Sequence, residues 1–146
     1  MANESSAYLL HKLVFELDRG ADSLLRTQMG ISYKRAVFLL ALEQCGTVTQ
    51  HELAVALGYR DPSVSTMLVE LAKEGYLQIA VSPEHARKRL VSITAKGSEV
   101  VAQSRLLLDT HFDQLMQAAG VDAQLYRDLN EQVYLALVAK MKKEPS

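Results

Sequence analysis

The chain has little of what many function classes require. Among its 146 residues there is one cysteine, Cys45. A single cysteine closes no intrachain disulfide and builds no cysteine-based zinc cluster, so a reduced, cytoplasmic setting is expected. Charge of one sign is lacking as well, with 16 Lys and Arg against 17 Asp and Glu for a formal net charge of −1. Such a chain is not a polyanion binder over its whole surface, although a local basic patch stays open. Long apolar runs are missing too. The opening stretch, MANESSAYLLHKLVFELDRG, is interrupted by His11, Lys12, Glu16 and Asp18, so neither a signal peptide nor a membrane span is expected. There is no internal repeat, no low-complexity segment, no glycine-rich phosphate loop and no nucleophile–base pair, so an enzyme is not expected. The ending KKEPS reads as a frayed tail.

What is present is a core and a periodicity. Hydrophobic residues make up 49% of the chain, enough for one domain, and residues 1–146 are expected to form a single unit. Leu10, Leu13, Val14, Leu17, Leu24 and Leu25 recur at helical spacing, which predicts one helix over residues 5–27 despite Gly20. Ser32 is placed to cap a second helix that buries Val37, Leu40 and Ala41 and ends near Cys45 and Gly46. Thr49 and Glu52 stand in capping-box spacing, and Gly58 stops the short helix between them after Leu57. Asp61 is expected to cap the next helix, with Pro62 in its first position and Val64, Met67, Leu68 and Leu71 facing inward up to Gly75. YLQIAV and RLVSIT then alternate around the polar SPEHARK, which predicts a β-hairpin. Thr94 caps a helix over 95–119, and Leu125, Leu129, Val133, Leu137 and Met141 mark a last one over 122–143. The expected order is four helices, two strands and two helices. The fold class is mainly α with a small β-hairpin wing.

A short helix, a tight turn, a second helix and a hairpin make a winged helix-turn-helix, here over residues 32–94. In that motif the second helix enters the major groove of DNA and the first crosses the backbone. The outward face of the 62–75 helix carries Ser63, Ser65, Thr66, Val69, Glu70 and Lys73. Hydroxyls can bond phosphates or base edges, and Val69 suits a thymine methyl. An ordinary polar helix face has the same composition, and the hairpin is what favours DNA readout. Arg87, Lys88 and Arg89 at the hairpin tip suit phosphates or a narrow minor groove. With Arg60 before the helix, the expected DNA-binding residues are Arg60, Ser63, Ser65, Thr66, Val69, Lys73, Arg87, Lys88 and Arg89. Across residues 47–94 the cations Arg60, Lys73, Arg87, Lys88 and Arg89 face the acids Glu52, Asp61, Glu70, Glu74 and Glu84, so this part is neutral.

The stretches TQHELA, PSVS, EGYL and SITAKG, in their order along GTVTQHELAVALGYRDPSVSTMLVELAKEGYL and SPEHARKRLVSITAKG, resemble the MarR family of bacterial transcription regulators. The resemblance covers nearly the whole chain. It implies a homodimer on pseudo-palindromic double-stranded DNA, usually a repressor, with residues 5–27 and 95–143 as dimerisation helices. It also implies release by a small aromatic or phenolic ligand, or by oxidation. The alternative is a winged-helix protein-interaction module with weak or no DNA binding. Three positions depart from the family pattern. His85 stands where an acidic residue usually precedes the wing arginine by two, and Thr66 and Glu70 stand where the recognition helix often carries arginines.

The remaining candidates have plainer readings. Cys45 is expected to pack as a small residue. His51 and Glu52 open like a zinc-protease helix, but Val55 occupies the place of the second histidine. Asp109 and Asp113 share a helix face that His111 does not, so no metal site and no cofactor are expected. Tyr8, His11, Phe15, Tyr33 and Phe38 are aromatic residues on helices that would border a family-type ligand, with core packing the expected role of Phe15 and Phe38.

Overall fold

All but one of the described helices begin where a side chain takes up a free amide proton. The computed structural model describes residues 4–144, without the side chain of Asp61. Pro145 and Ser146 of the expected frayed tail lie outside the described residues. Ser5 caps α1 (Ser6–Met29) by accepting from Tyr8 N, and Ser32 caps α2 (Tyr33–Cys45) by accepting from Arg35 N. After β1 (Val48–Thr49), Thr49 opens α3 (Gln50–Leu57) with the full reciprocal capping box to Glu52. Gly58 closes α3 in the left-handed conformation at φ 67°, which a residue with a Cβ rarely adopts.

The helix α4 (Asp61–Lys73) departs from the expected capping. Its N-cap residue is Arg60, with no side-chain cap bond, and Asp61 already belongs to the helix. Pro62 has no amide proton, so one of the donors a cap would serve is missing there. Ser63 N and Val64 N are taken up by the Arg60 carbonyl at 3.1 and 3.3 Å.

The hairpin consists of β2 (Leu77–Val81) and β3 (Arg89–Ile93), paired antiparallel with Leu77 opposite Ile93 and Ile79 opposite Val91. A third strand was not expected. β1 pairs with the other edge of β3, Val48 opposite Val91, giving the order β1-β3-β2. Two residues are too few to show an alternation, so nothing in the sequence pattern marks β1.

The first compact unit runs through Leu106 and holds the core. Phe38, Leu39 and Leu42 of α2, Leu53 of α3, Val64, Leu68 and Leu71 of α4, and Leu77 and Val91 of the sheet are all buried. Each large side chain so placed stabilises by roughly 1.5–3 kcal/mol. Spacings of four and three residues along α4 turn its other face outward.

The end of α4 is tied to the start of α5 (Ala95–Ala119). Thr94 Oγ1 donates to the Gly75 carbonyl at 2.7 Å and accepts from Gly97 N at 3.1 Å. Thr94 N donates to the Tyr76 carbonyl at 3.1 Å, and Lys96 Nζ donates to the Glu74 carbonyl at 2.7 Å. The same ammonium lies 4.7 Å from the centre of the Tyr76 ring. Gly97 is buried, and a Cβ there would sit 2.0 Å from the Tyr76 carbonyl oxygen.

The second unit starts at Leu107 and contains the end of α5 and α6 (Ala123–Lys143). Asp122 caps α6 by accepting from Leu125 N, and the rings of Phe112 and Tyr126 lie 6.0 Å apart. α6 buries none of its residues. The whole stripe of Leu125, Leu129, Val133, Leu137 and Met141 is more than half exposed. On α1, Tyr8, Leu9, Leu10, Val14 and Phe15 are exposed too. The expectation that Phe15 packs in the core is therefore wrong, because the buried stripe of α1 comes in at Leu25, near its end.

Two glycines in helices should respond oppositely to alanine. Gly97→Ala drives a Cβ into backbone and is expected to destabilise by about 2–4 kcal/mol. At Gly20 nothing lies within 4 Å of a new Cβ, and Gly20→Ala is expected to stabilise by about 0.5–1 kcal/mol. Denaturant unfolding of both variants is the check, and equal stabilities would contradict the close approach at Gly97.

Candidate nucleic-acid interface

Burial of Val64, Leu68 and Leu71 decides which residues α4 presents. Pro62, Ser63, Ser65, Thr66, Val69, Glu70 and Lys73 are all exposed. Thr66 Oγ1 donates to the Pro62 carbonyl at 3.3 Å, which leaves its lone pairs free to accept. Val69 is an apolar side chain, 61% exposed, on an otherwise polar face. Arg60 stands exposed at the start of the helix, and Lys73 lies in its last turn, where a cation suits the helix dipole.

The wing tip is held by its own backbone. Ser82 N donates to the Lys88 carbonyl at 2.8 Å, and Lys88 N donates to the His85 carbonyl at 3.0 Å. Ser82 Oγ accepts from Glu84 N at 3.3 Å. These bonds shape the turn although His85 offers no carboxylate to Arg87. Arg87, Lys88 and Arg89 are exposed. All nine residues expected to bind DNA lie in the first compact unit, six on α4 or its cap and three at the hairpin tip and the start of β3.

The structure sorts the acids of this part in a way the sequence does not show. Glu52 is engaged in the capping box, its Oε2 accepting from Thr49 N at 2.8 Å. Glu74 accepts from Arg35 NH2 at 2.7 Å. Glu70 and Glu84 have no side-chain partner among the described residues. Arg35 was not expected to matter here. It lies 39 residues before Glu74, a separation that no periodicity reveals, and its Nε is buried without a partner.

Elsewhere the candidates fall as follows. Phe38 is fully buried, as expected. Cys45 is exposed at the end of α2, which corrects its reading as a packing residue. His111 Nδ1 donates to the Leu107 carbonyl at 3.0 Å. Tyr33 is partly buried at the start of α2. Burial first, then the charge of Asp18 and the nearby Tyr59, raise its phenol above the ordinary range. Lys34 Nζ lies 5.3 Å from the centre of the Tyr59 ring. Asp22 joins α1 to α2: its Oδ1 accepts from Tyr33 N at 2.9 Å and its Oδ2 from Arg26 Nε at 2.8 Å. The Tyr33 amide, followed by the Arg26 side chain, holds its carboxyl below the ordinary aspartate value.

Residues 29–88 match the family model of the MarR family. No curated protein matches the chain. Among solved structures, the wild-type apo form of MarR from E. coli is similar over 92% of this chain and 97% of that one, with a TM-score of 0.78 and 20% identity. A MarR mutant from E. coli complexed with operator DNA matches over 90% of this chain and 92% of that one, with a TM-score of 0.74 and 21% identity. The S. aureus MepR–DNA complex matches over 94% and 99%, with a TM-score of 0.74 and 21% identity. The helices and small antiparallel sheet of this chain thus follow the winged-helix fold of those proteins.

The depressed Asp22 carboxyl has a sign that can be checked. A carboxyl whose folded value lies below its unfolded one stabilises above the unfolded value, and that stability is lost as pH falls through the folded one. Asp22→Asn should therefore melt below the parent at about pH 7, with the gap narrowing towards about pH 3. A gap that stays constant across that range would show that the Asp22 bonds do not depend on its charge.

Proposed function

We propose that this chain, whose residues 29–88 match the model of the MarR family, is a DNA-binding transcription regulator that acts as a homodimer on a pseudo-palindromic operator, as a repressor. The observation that carries the reading is the exposed face of α4, small hydroxyls around Val69, in one unit with a wing tip whose three cations are exposed. In this reading α4 lies in the major groove, with Ser63, Ser65 and Thr66 bonding phosphate or base edges and Val69 meeting a thymine methyl. Arg60 and Lys73 position the helix on phosphates. Arg87, Lys88 and Arg89 reach the flanking backbone or minor groove. The operator DNA bound to a MarR mutant and the DNA bound to MepR support this placement by analogy. Another similar structure is that of the Multiple Antibiotic Resistance Repressor, MarR, which supports repression in the same way.

A homodimer is supported by the uncovered stripes. A helix with apolar residues along one face needs something to bury them, and neither α6 nor the first half of α1 buries its own. Two copies also place two α4 helices on two half-sites. Release of DNA by a small aromatic or phenolic ligand completes the reading, with Tyr8, Phe15 and Tyr33 as aromatic surfaces available to it.

The equal count of acids and cations over residues 47–94 favours a second reading, a protein-interaction module with weak or no DNA binding. Titration of duplexes at two salt concentrations separates the two. A regulator binds its selected site well above random duplex, and both affinities fall with salt. A module prefers no sequence and binds any duplex weakly or not at all, even at low salt. In the first case Arg87→Ala should weaken binding to any sequence and reduce the salt slope by about one. Its melting temperature should stay that of the parent. A melted protein of unchanged affinity would make Arg87 structural.

The dimer has its own test. Deletion of residues 122–146 should leave an aggregating or unfolded chain, because the stripe that a second copy would need is gone while the start of α1 stays exposed. A soluble monomer that still binds DNA would contradict the dimer.

A further inference from the structure

The geometry points to Glu70 as the residue that sets the base preference of α4, by requiring a cytosine at one position of each half-site; the inference rests on the DNA-binding reading above. Glu70 is exposed and stands one turn after Thr66, on the same side of α4 as Ser63. Its neighbour Glu74 is neutralised by Arg35 at 2.7 Å. No ion pair joins Glu70 to Lys73, three residues on, among the described residues. α4 therefore carries an uncompensated carboxylate on the face that meets DNA.

A carboxylate accepts hydrogen bonds and donates none. Placed among phosphates and base edges, it is unfavourable wherever no donor meets it, since a desolvated charge without a partner costs free energy. The major-groove edge narrows the choice of donor. Guanine shows two acceptors there, N7 and O6, and thymine shows the O4 acceptor and a methyl group. Adenine offers its N6 amino group beside the N7 acceptor, which repels a second carboxylate oxygen. Cytosine offers the N4 amino group with no acceptor of its own on that edge. Cytosine is the base that satisfies Glu70, and the other bases are penalised by it. The same carboxylate lowers affinity for random duplex through repulsion from phosphates. Discrimination in this protein thus comes partly from a group that weakens binding everywhere except on its cognate base.

The test is selection of sites from a randomised duplex pool by the full chain, its Glu70→Gln variant and its Glu70→Ala variant, followed by titration on the selected and random duplexes. Unchanged melting of both variants confirms that an exposed side chain was altered and nothing else. The parent is expected to enrich cytosine at one position of each half-site. Glu70→Gln should switch that position to adenine, whose N6 and N7 an amide pairs with, by about tenfold or more. Glu70→Ala should lose the preference there and nowhere else. Both variants should bind random duplex several-fold more tightly than the parent does. The same preferences in all three proteins, or adenine enriched by the parent, would overturn the assignment while leaving the DNA-binding reading intact. A parent that enriches no sequence at all would overturn both.

Discussion

The end of α4 has no free choice of direction. The carbonyls just beyond it, those of Glu74, Gly75 and Tyr76, are taken by Thr94 and Lys96, the residues around the start of α5. Gly97 lets α5 begin close enough for this, because any side chain there would meet the Tyr76 carbonyl. Arg35 adds a tie from α2 to Glu74. The outward face of α4 therefore has its orientation set by bonds at its C-terminal end and by the burial of Val64, Leu68 and Leu71 along its length. At its N-terminal end Arg60 makes no side-chain cap bond, and Ser63 N and Val64 N are taken up by the Arg60 carbonyl.

Charge gives the surface its other constraint. Counterion release rewards a cationic surface with affinity for any nucleic acid. Here the residues 47–94 are balanced, and the cations of the wing are set against Glu70 and Glu84. Under the proposed function, tight binding then has to come from fit, from short polar contacts and from two copies on two half-sites. The same reading expects weak nonspecific affinity. The exposed apolar stripe of α6 and the exposed start of α1 fit the proposed homodimer, because a second copy would bury them.

Much of this was legible in the sequence, for local reasons. Ser32, Thr49 and Thr94 mark helix starts with their own side chains, and Gly58 marks a stop; the Ser5 and Asp122 caps were not read from the sequence. The hairpin showed in the alternation of Leu77, Ile79, Val91 and Ile93, and the outward face of α4 in the spacing of its buried residues. Features that depend on distant partners did not show. β1 is strand only because β3 lies beside it. The ties from Arg35 to Glu74 and from Lys96 to the Glu74 carbonyl join segments with no common period. The displaced cap of α4 reflects a one-residue shift that Asp61 followed by Pro62 does not resolve. Phe15 was misread because an apolar residue at helical spacing signals a buried face without saying what buries it. Cys45 was misread because a helix end can point either way. The candidate interface was legible as a set of residue types, while the pairing that singles out Glu70 required the structure.

Under the proposed function the outer face of α4 and the wing tip together meet DNA. Amide hydrogen exchange of the full chain, with and without its selected duplex, is the decisive measurement. Slowed exchange in residues 61–73 and 82–89, with α6 unchanged, is expected. Slowing confined to α6 or to the start of α1, with residues 61–89 exchanging as in the free protein, would contradict it.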